Sequence, residues 1–116
     1  MGVSLWDAMM PIVTEPLSEG VLAEIEGRLT GVLGVVPPPW VPYLETRYAV
    51  GGESFVRFEG DPAAEDEMYL NLVLDGAPVP SPDPRLDFVV DFVGKAAHDI
   101  QVLLAEVRRL RALETG

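Results

Sequence analysis

The chain has 116 residues and no cysteine, which excludes disulfide staples, thiolate catalysis and cysteine-ligated zinc or iron–sulfur sites. Hydrophobic residues make up 48% of it and charged residues 23%, with a mean hydropathy of +0.21: enough apolar material for one small packed domain and too much for wholesale disorder. Nineteen acids against eight bases leave a net charge of −11, a field that repels phosphate backbones and anionic membranes and so argues against direct nucleic-acid binding while favouring basic partners.

The acidity is local. Residues 45–91 hold eleven acids and three bases, whereas residues 92–116 hold three acids and four bases, among them Arg108, Arg109 and Arg111. No apolar run approaches the ~20 residues that span a bilayer, and the first residues lack the basic and apolar regions of a secretory signal. The expectation is a cytoplasmic protein, in a bacterial cell or an infected host cell, with no membrane contact.

Residues 1–17 read as an N-terminal arm or short helix, in which Ser4 and Asp7 resemble a capping box and Leu5, Trp6, Met9 and Met10 share a face before Pro11. Ser18 then caps a helix over 18–34, with Leu22, Ile25, Leu29 and Val32 or Leu33 at spacings of three and four and Glu24, Glu26 and Arg28 on the opposite face. Val-Val-Pro-Pro-Pro-Trp (35–40) is a stiff connector, because consecutive prolines fix φ and remove donors. Its PxxP content also permits an SH3-type ligand reading, against which the linker reading is preferred.

Residues 40–79 carry the texture of a β-meander. Leu44, Thr46, Tyr48 and Val50 alternate with Tyr43, Glu45, Arg47 and Ala49, Gly51-Gly52 punctuates, and Ser-Phe-Val-Arg-Phe (54–58) resumes strand chemistry. After the break at 60–66, Met68, Leu70, Leu72 and Leu74 give a third strand one apolar face; Asp75-Gly76 turns the chain and Ala77 to Val79 can add a short edge pairing. Asp83-Pro84 is a helix start with an acceptor at the N-cap and proline at N1. From there apolar residues recur at 3-4 spacing from Leu86 to Leu110, over 83–114. This is one long helix or a pair broken at His98-Asp99. The broken or kinked pair is favoured, since Asp99 can cap a second helix and Gly94 weakens the first. The fold class is therefore α+β in a single domain over 1–116: an N-terminal helix, a three-stranded antiparallel meander and a C-terminal long or broken helix on one sheet face.

Catalytic groups are scarce. His98 and Asp99 are adjacent and on a helix point about 100° apart, Ser4, Ser18, Ser54 and Ser81 lack a nucleophile elbow, and the 61–67 acids lack calcium-loop spacing. Neither Gly51-Gly52 nor Gly31-Val-Leu-Gly34 is a phosphate cradle. No catalytic residue, cofactor or metal is assigned. The aromatic set is richer, and a partner-binding surface is expected from Trp6, Trp40, Tyr43 and Tyr48 together with Glu53, Glu59, Asp61, Glu65, Asp66 and Glu67. These residues suit a non-catalytic acidic module that binds a basic protein. A sharper variant has the six acids imitate nucleic-acid phosphates. The alternatives are a small-ligand or minor enzymatic pocket between sheet and helices using Glu45, Arg47 and His98, and a homo-oligomer paired through the 86–110 heptads.

Leu22-Ala-Glu-Ile-Glu-Gly-Arg-Leu29, Pro-Pro-Pro-Trp40, the 87–100 segment and Leu103-Leu-Ala-Glu-Val-Arg-Arg-Leu110 together resemble small phage and prophage accessory proteins of the Ead-like type and their uncharacterised actinobacterial relatives. The resemblance covers residues 18–112. Pro38 stands where that family favours glycine, and Gln101 where it has proline after Asp-Ile. It implies a phage or mobile-element context and action by binding, and it carries over no catalytic residue.

Overall fold

In a computed structural model of the chain, residues 16–115 are described; the Trp6 arm lies outside them. The elements are α1 (Glu19–Val35), β1 (Trp40–Tyr43), α2 (Glu45–Tyr48), β2 (Phe55–Phe58), β3 (Asp66–Met68), β4 (Val73–Leu74), β5 (Ala77–Pro78) and α3 (Pro84–Thr115). The class is α+β. β1, β2 and β3 form an antiparallel sheet in that order, β4 and β5 a separate hairpin, and α3 packs on the sheet.

Both helix starts are capped as their residues dictate. The Ser18 hydroxyl accepts the Val21 N–H at 3.1 Å, and Asp83 Oδ1 accepts the Arg85 N–H at 2.8 Å, each satisfying one of the four donors a helix start leaves free. The expected break at His98-Asp99 is absent: α3 continues through it for 32 residues, about 48 Å. Gly94 does not break the helix. It is where α3 touches β1, for a Cβ there would stand 2.8 Å from the Pro42 Cβ.

The meander exists, but shifted from the expected positions. The first strand is Trp40–Tyr43, not the alternating stretch 43–50, and includes Pro42. Proline lacks the ladder N–H and is tolerated because β1 is an edge strand. Residues 45–48, expected extended, form the single turn α2, closed by Ala49 in the left-handed region at φ 50°. The third strand is only Asp66–Met68. Leu70 and Leu72 still pack on the core, although the chain has left the ladder. Asp75 and Gly76, at φ 51° and 76°, make the two-residue turn between β4 and β5, the positive-φ geometry that suits a right-handed hairpin twist.

Two apolar regions hold these parts. Leu44, Val56, Phe58, Val79, Leu86 and Val90 form the core between sheet and α3. Trp40 closes it, edge-on to Phe58 at 5.2 Å with its indole N–H donating to the Val36 carbonyl at 2.7 Å. Further along α3, α1 packs antiparallel around buried Leu22, with Arg108 reaching Glu19 at 2.8 Å and Glu26 at 2.5 Å and Arg111 reaching Glu19 at 2.6 Å. The 86–110 seam is thus divided: Leu86 lies in the sheet core, Val107 and the more exposed Leu103 line the α1 groove, and Leu110 is exposed. Among the described residues no helix is long and apolar enough to cross a membrane.

Candidate protein-binding face of the sheet

Alternation along β2 decides which side chains serve the core and which do not. Val56 and Phe58 are buried toward α3; Phe55 and Arg57, between and before them, point to the outer face. The register places Tyr43 beside Phe55 and Glu67 beside Arg57. Tyr43 and Phe55 stack nearly parallel, 5.2 Å apart and 7° from coplanar, and Tyr69 continues the stack 5.2 Å beyond Phe55 at 28°. Three rings therefore cross the sheet as one ladder.

Carboxylates edge this ladder. The Tyr43 hydroxyl donates to Glu59 at 2.7 Å, and the Tyr69 hydroxyl to Glu67 at 2.8 Å. Each phenol is pushed above its ordinary range, first by the hydrogen bond it donates to a carboxylate, then by desolvation and the like charge that ionisation would create; for Tyr69, Glu53 adds to the repulsion. Arg57 pairs with Glu67 at 3.3 Å, so one cation sits within the acidic rim. Asp61 and Glu65 in the exposed β2–β3 turn and Asp66 at the start of β3 extend the acidity, and Asp61 also accepts the Ala63 N–H at 3.1 Å.

Of the residues singled out from the sequence, Tyr43, Glu53, Glu59 and Glu67 come together here, with Asp61 and Glu65 in the adjoining turn and Asp66 at the start of β3. Trp40 does not join the ladder: it lies on the helix side of β1, partly buried and packed against Phe58. Tyr48 is exposed on α2, outside the ladder, and Trp6 lies outside the described residues. Phe55 and Tyr69 complete the stack: the period-two pattern of 54–58 puts Phe55 on the face opposite Val56, and the alternation from Met68 puts Tyr69 opposite Met68 and Leu70, a placement that holds although Tyr69 lies just beyond the end of β3.

The pocket expected from Glu45, Arg47 and His98 is not assembled. The Glu45 carboxylate accepts the Gly51 and Gly52 N–H groups at 2.7 and 3.1 Å. Arg47 pairs with Asp91 at 3.5 Å and lies 5.6 Å from the Phe88 ring centre, and His98 lines a separate crevice with Pro38, Pro39 and Trp40. A crevice of about 410 Å³ does adjoin the ladder, between Tyr69, Leu72, Val79 and Leu86, with Glu53 and Ser54 at its polar edge. Among the described residues no group of three or more acidic or histidine side chains is placed to hold a metal ion.

Compared with protein-family models, curated proteins and solved structures, the chain matches none.

Proposed function

We propose that this chain is a non-catalytic, acidic protein-binding module that regulates or inhibits a host protein by holding a basic segment of it on the outer sheet face. The phage or mobile-element setting implied by the sequence resemblance, and a cytoplasmic site of action, belong to the same proposal. The observation that carries it is the Tyr43–Phe55–Tyr69 ladder edged by Glu53, Glu59 and Glu67. Lysine and arginine lay their aliphatic stems and cationic heads on aromatic faces and pair with carboxylates at the rim, and complementary charge speeds encounter and selects the partner.

The test is an NMR titration of the full chain with a lysine- and arginine-rich peptide, against a glutamate-rich peptide of equal length, at low and high salt. Shifts concentrated at Tyr43, Phe55, Arg57, Glu59 and Tyr69, weakened by salt and lost in a Tyr43→Ala/Tyr69→Ala variant, are expected. Shifts shared equally by the acidic peptide, or none on this face, overturn the reading. The about 410 Å³ crevice beside Tyr69 favours a small-ligand reading in second place, for which shifts would gather at Leu72, Val79 and Leu86 on addition of small molecules. Nucleic-acid mimicry would shift the centre of binding to Asp61, Glu65 and Asp66, with the steepest loss in salt.

A further inference from the structure

The three-stranded sheet has two edges, and its hydrogen-bonding alternation tells them apart. In an antiparallel ladder a residue turns both of its main-chain groups to one neighbouring strand, and the next residue turns them to the other side. The Glu59 N–H donates to the Pro39 carbonyl at 2.9 Å across the β1–β2 register. Phe55 and Arg57 therefore also turn to β1, and Val56 and Phe58 turn to β3. On β1, Pro42 pairs with Val56 and so faces away from β2; the N–H that a further strand would need there does not exist. On β3, Met68 and Asp66 face Val56 and Phe58. Glu67, between them, turns its N–H and C=O to the side on which β3 has no strand neighbour. Neither Glu67 nor Tyr69 makes a main-chain hydrogen bond there with a described residue.

The surroundings of this open edge define what fits it. Side chains alternate between faces along a strand, so a strand added beside Glu67 and Tyr69 would set one series of side chains on the outer face and the other on the helix side. The outer series meets the exposed Tyr69 ring and Glu53, which lies near enough to act on the Tyr69 phenol and has no ion pair among the described residues. The inner series meets Met68 and Leu70, half-buried against the core, and the crevice of about 410 Å³ that Leu70 also lines. One face asks for cations and the other for apolar side chains. At the start of the edge, Glu65 and Asp66 also pair with no described cation. A second copy's β3 would bring acid onto acid, the device by which edge charges keep copies apart; a basic segment is instead drawn in.

We propose that the basic partner binds as a fourth strand: an extended segment, basic and apolar in alternation, pairs with the Glu67 main chain at the open edge of β3, lays its basic side chains beside Tyr69 and Glu53, and turns its apolar ones to Met68, Leu70 and the crevice. This deepens the sheet-face reading and rests on it. Main-chain hydrogen bonds supply affinity, and the alternation of side chains supplies selectivity.

Two peptides of one composition test it, a strictly alternating lysine–valine peptide and one with the same residues in a lysine block followed by a valine block. Titrated into the full chain and followed by NMR, the alternating peptide is expected to bind about tenfold more tightly and to slow hydrogen exchange at the Glu67 amide. N-methylation of either all its lysine amides or all its valine amides should weaken binding about tenfold in one case and little in the other, because only one set of N–H groups faces the protein. Glu67→Pro, which removes the outward N–H, should bind more weakly than Glu67→Ala, which keeps it, with circular dichroism checking that both fold. Equal binding of the block peptide, or equal effects of the two methylation patterns, overturns the added strand, while shifts at Tyr43, Phe55 and Tyr69 would still uphold the sheet-face reading. Binding of neither peptide overturns both.

Discussion

Asp87 is a buried carboxylate that ties α3 to α2 and to the chain before β2. It is 1% exposed, on the first turns of α3, and its carboxylate gathers the Thr46 N–H at 3.1 Å, the Thr46 hydroxyl and the Ser54 hydroxyl. Ser54 in turn accepts the Glu45 N–H at 2.9 Å, and its own N–H donates to Ser81 at 3.3 Å. The two free donors at the start of α2 thus find their acceptors on other elements. Asp87→Ala leaves the buried Ser54 hydroxyl without its acceptor and frees the more exposed Thr46 donors to water, and a loss of about 1–3 kcal/mol is expected in urea unfolding. Ser54→Ala should cost less, since Asp87 keeps its bonds to Thr46. The sequence shows Asp87 only as one more acid on a helix; that it is an internal acceptor follows from a chain separation of 41 residues to Thr46 and 33 to Ser54.

At the scale of elements, glycine gives the clearest test of the helix–sheet contact. A glycine inside an exposed helix is less stable than alanine by about 0.8–1 kcal/mol. Gly31, in α1, has nothing within 4 Å of the position its Cβ would take, so Gly31→Ala should raise the melting temperature. Gly94→Ala has the same propensity gain and the opposite expected sign. The new methyl would lie 2.8 Å from the Pro42 Cβ and 3.0 Å from its Cδ, forcing α3 away from β1. Measured side by side, the two substitutions separate helix propensity from packing. If Gly94→Ala stabilised the protein as Gly31→Ala does, the close α3–β1 contact would be wrong. The unbroken course of α3 belongs here too: the local signals at Gly94 and Asp99 are real but worth little against the apolar face that Val90, Val93 and Ala97 bury before Asp99 and Leu104 and Val107 half-bury after it.

For the whole molecule, the sheet core and the α1–α3 pair are joined along one helix and differ in what holds them. The second is edged by an exposed charge cluster in which Glu19 meets Arg108 and Arg111. Arg108 first and Arg111 next hold the Glu19 carboxyl below its ordinary range. A lowered folded-state value means that the contribution is fully present above the unfolded value of about 4.3 and is lost as the pH falls through the lowered one. The urea midpoint should therefore drop on acidification below about pH 4.3, and drop less in Glu19→Gln, which lacks the titrating group. High salt should flatten the difference, because the cluster is exposed and screened. The sheet core has no such charge cluster across its apolar contacts.

Length, composition and periodicity by themselves determined the α+β class, both long helices nearly to their ends, and the caps at Ser18 and Asp83, because these depend on contacts within a few residues along the chain. They also put Tyr43, Glu53, Glu59 and Glu67 in one candidate surface, since strand alternation and local acidity survive small errors of register. Only the tertiary structure decided that 45–48 is a helical turn and not a strand. Its free N–H groups are taken by Ser54 and Asp87, partners that no local pattern reveals. The same is true of Trp40, packed against the core beside Phe58, and of the side of α3 that carries Phe88 and Phe92, whose exposure among the described residues depends on where α1 and the sheet come to rest. Local sequence sets what a segment can form; long-range acceptors and packing choose among those forms, because a buried donor without a partner costs more than the propensity it overrides.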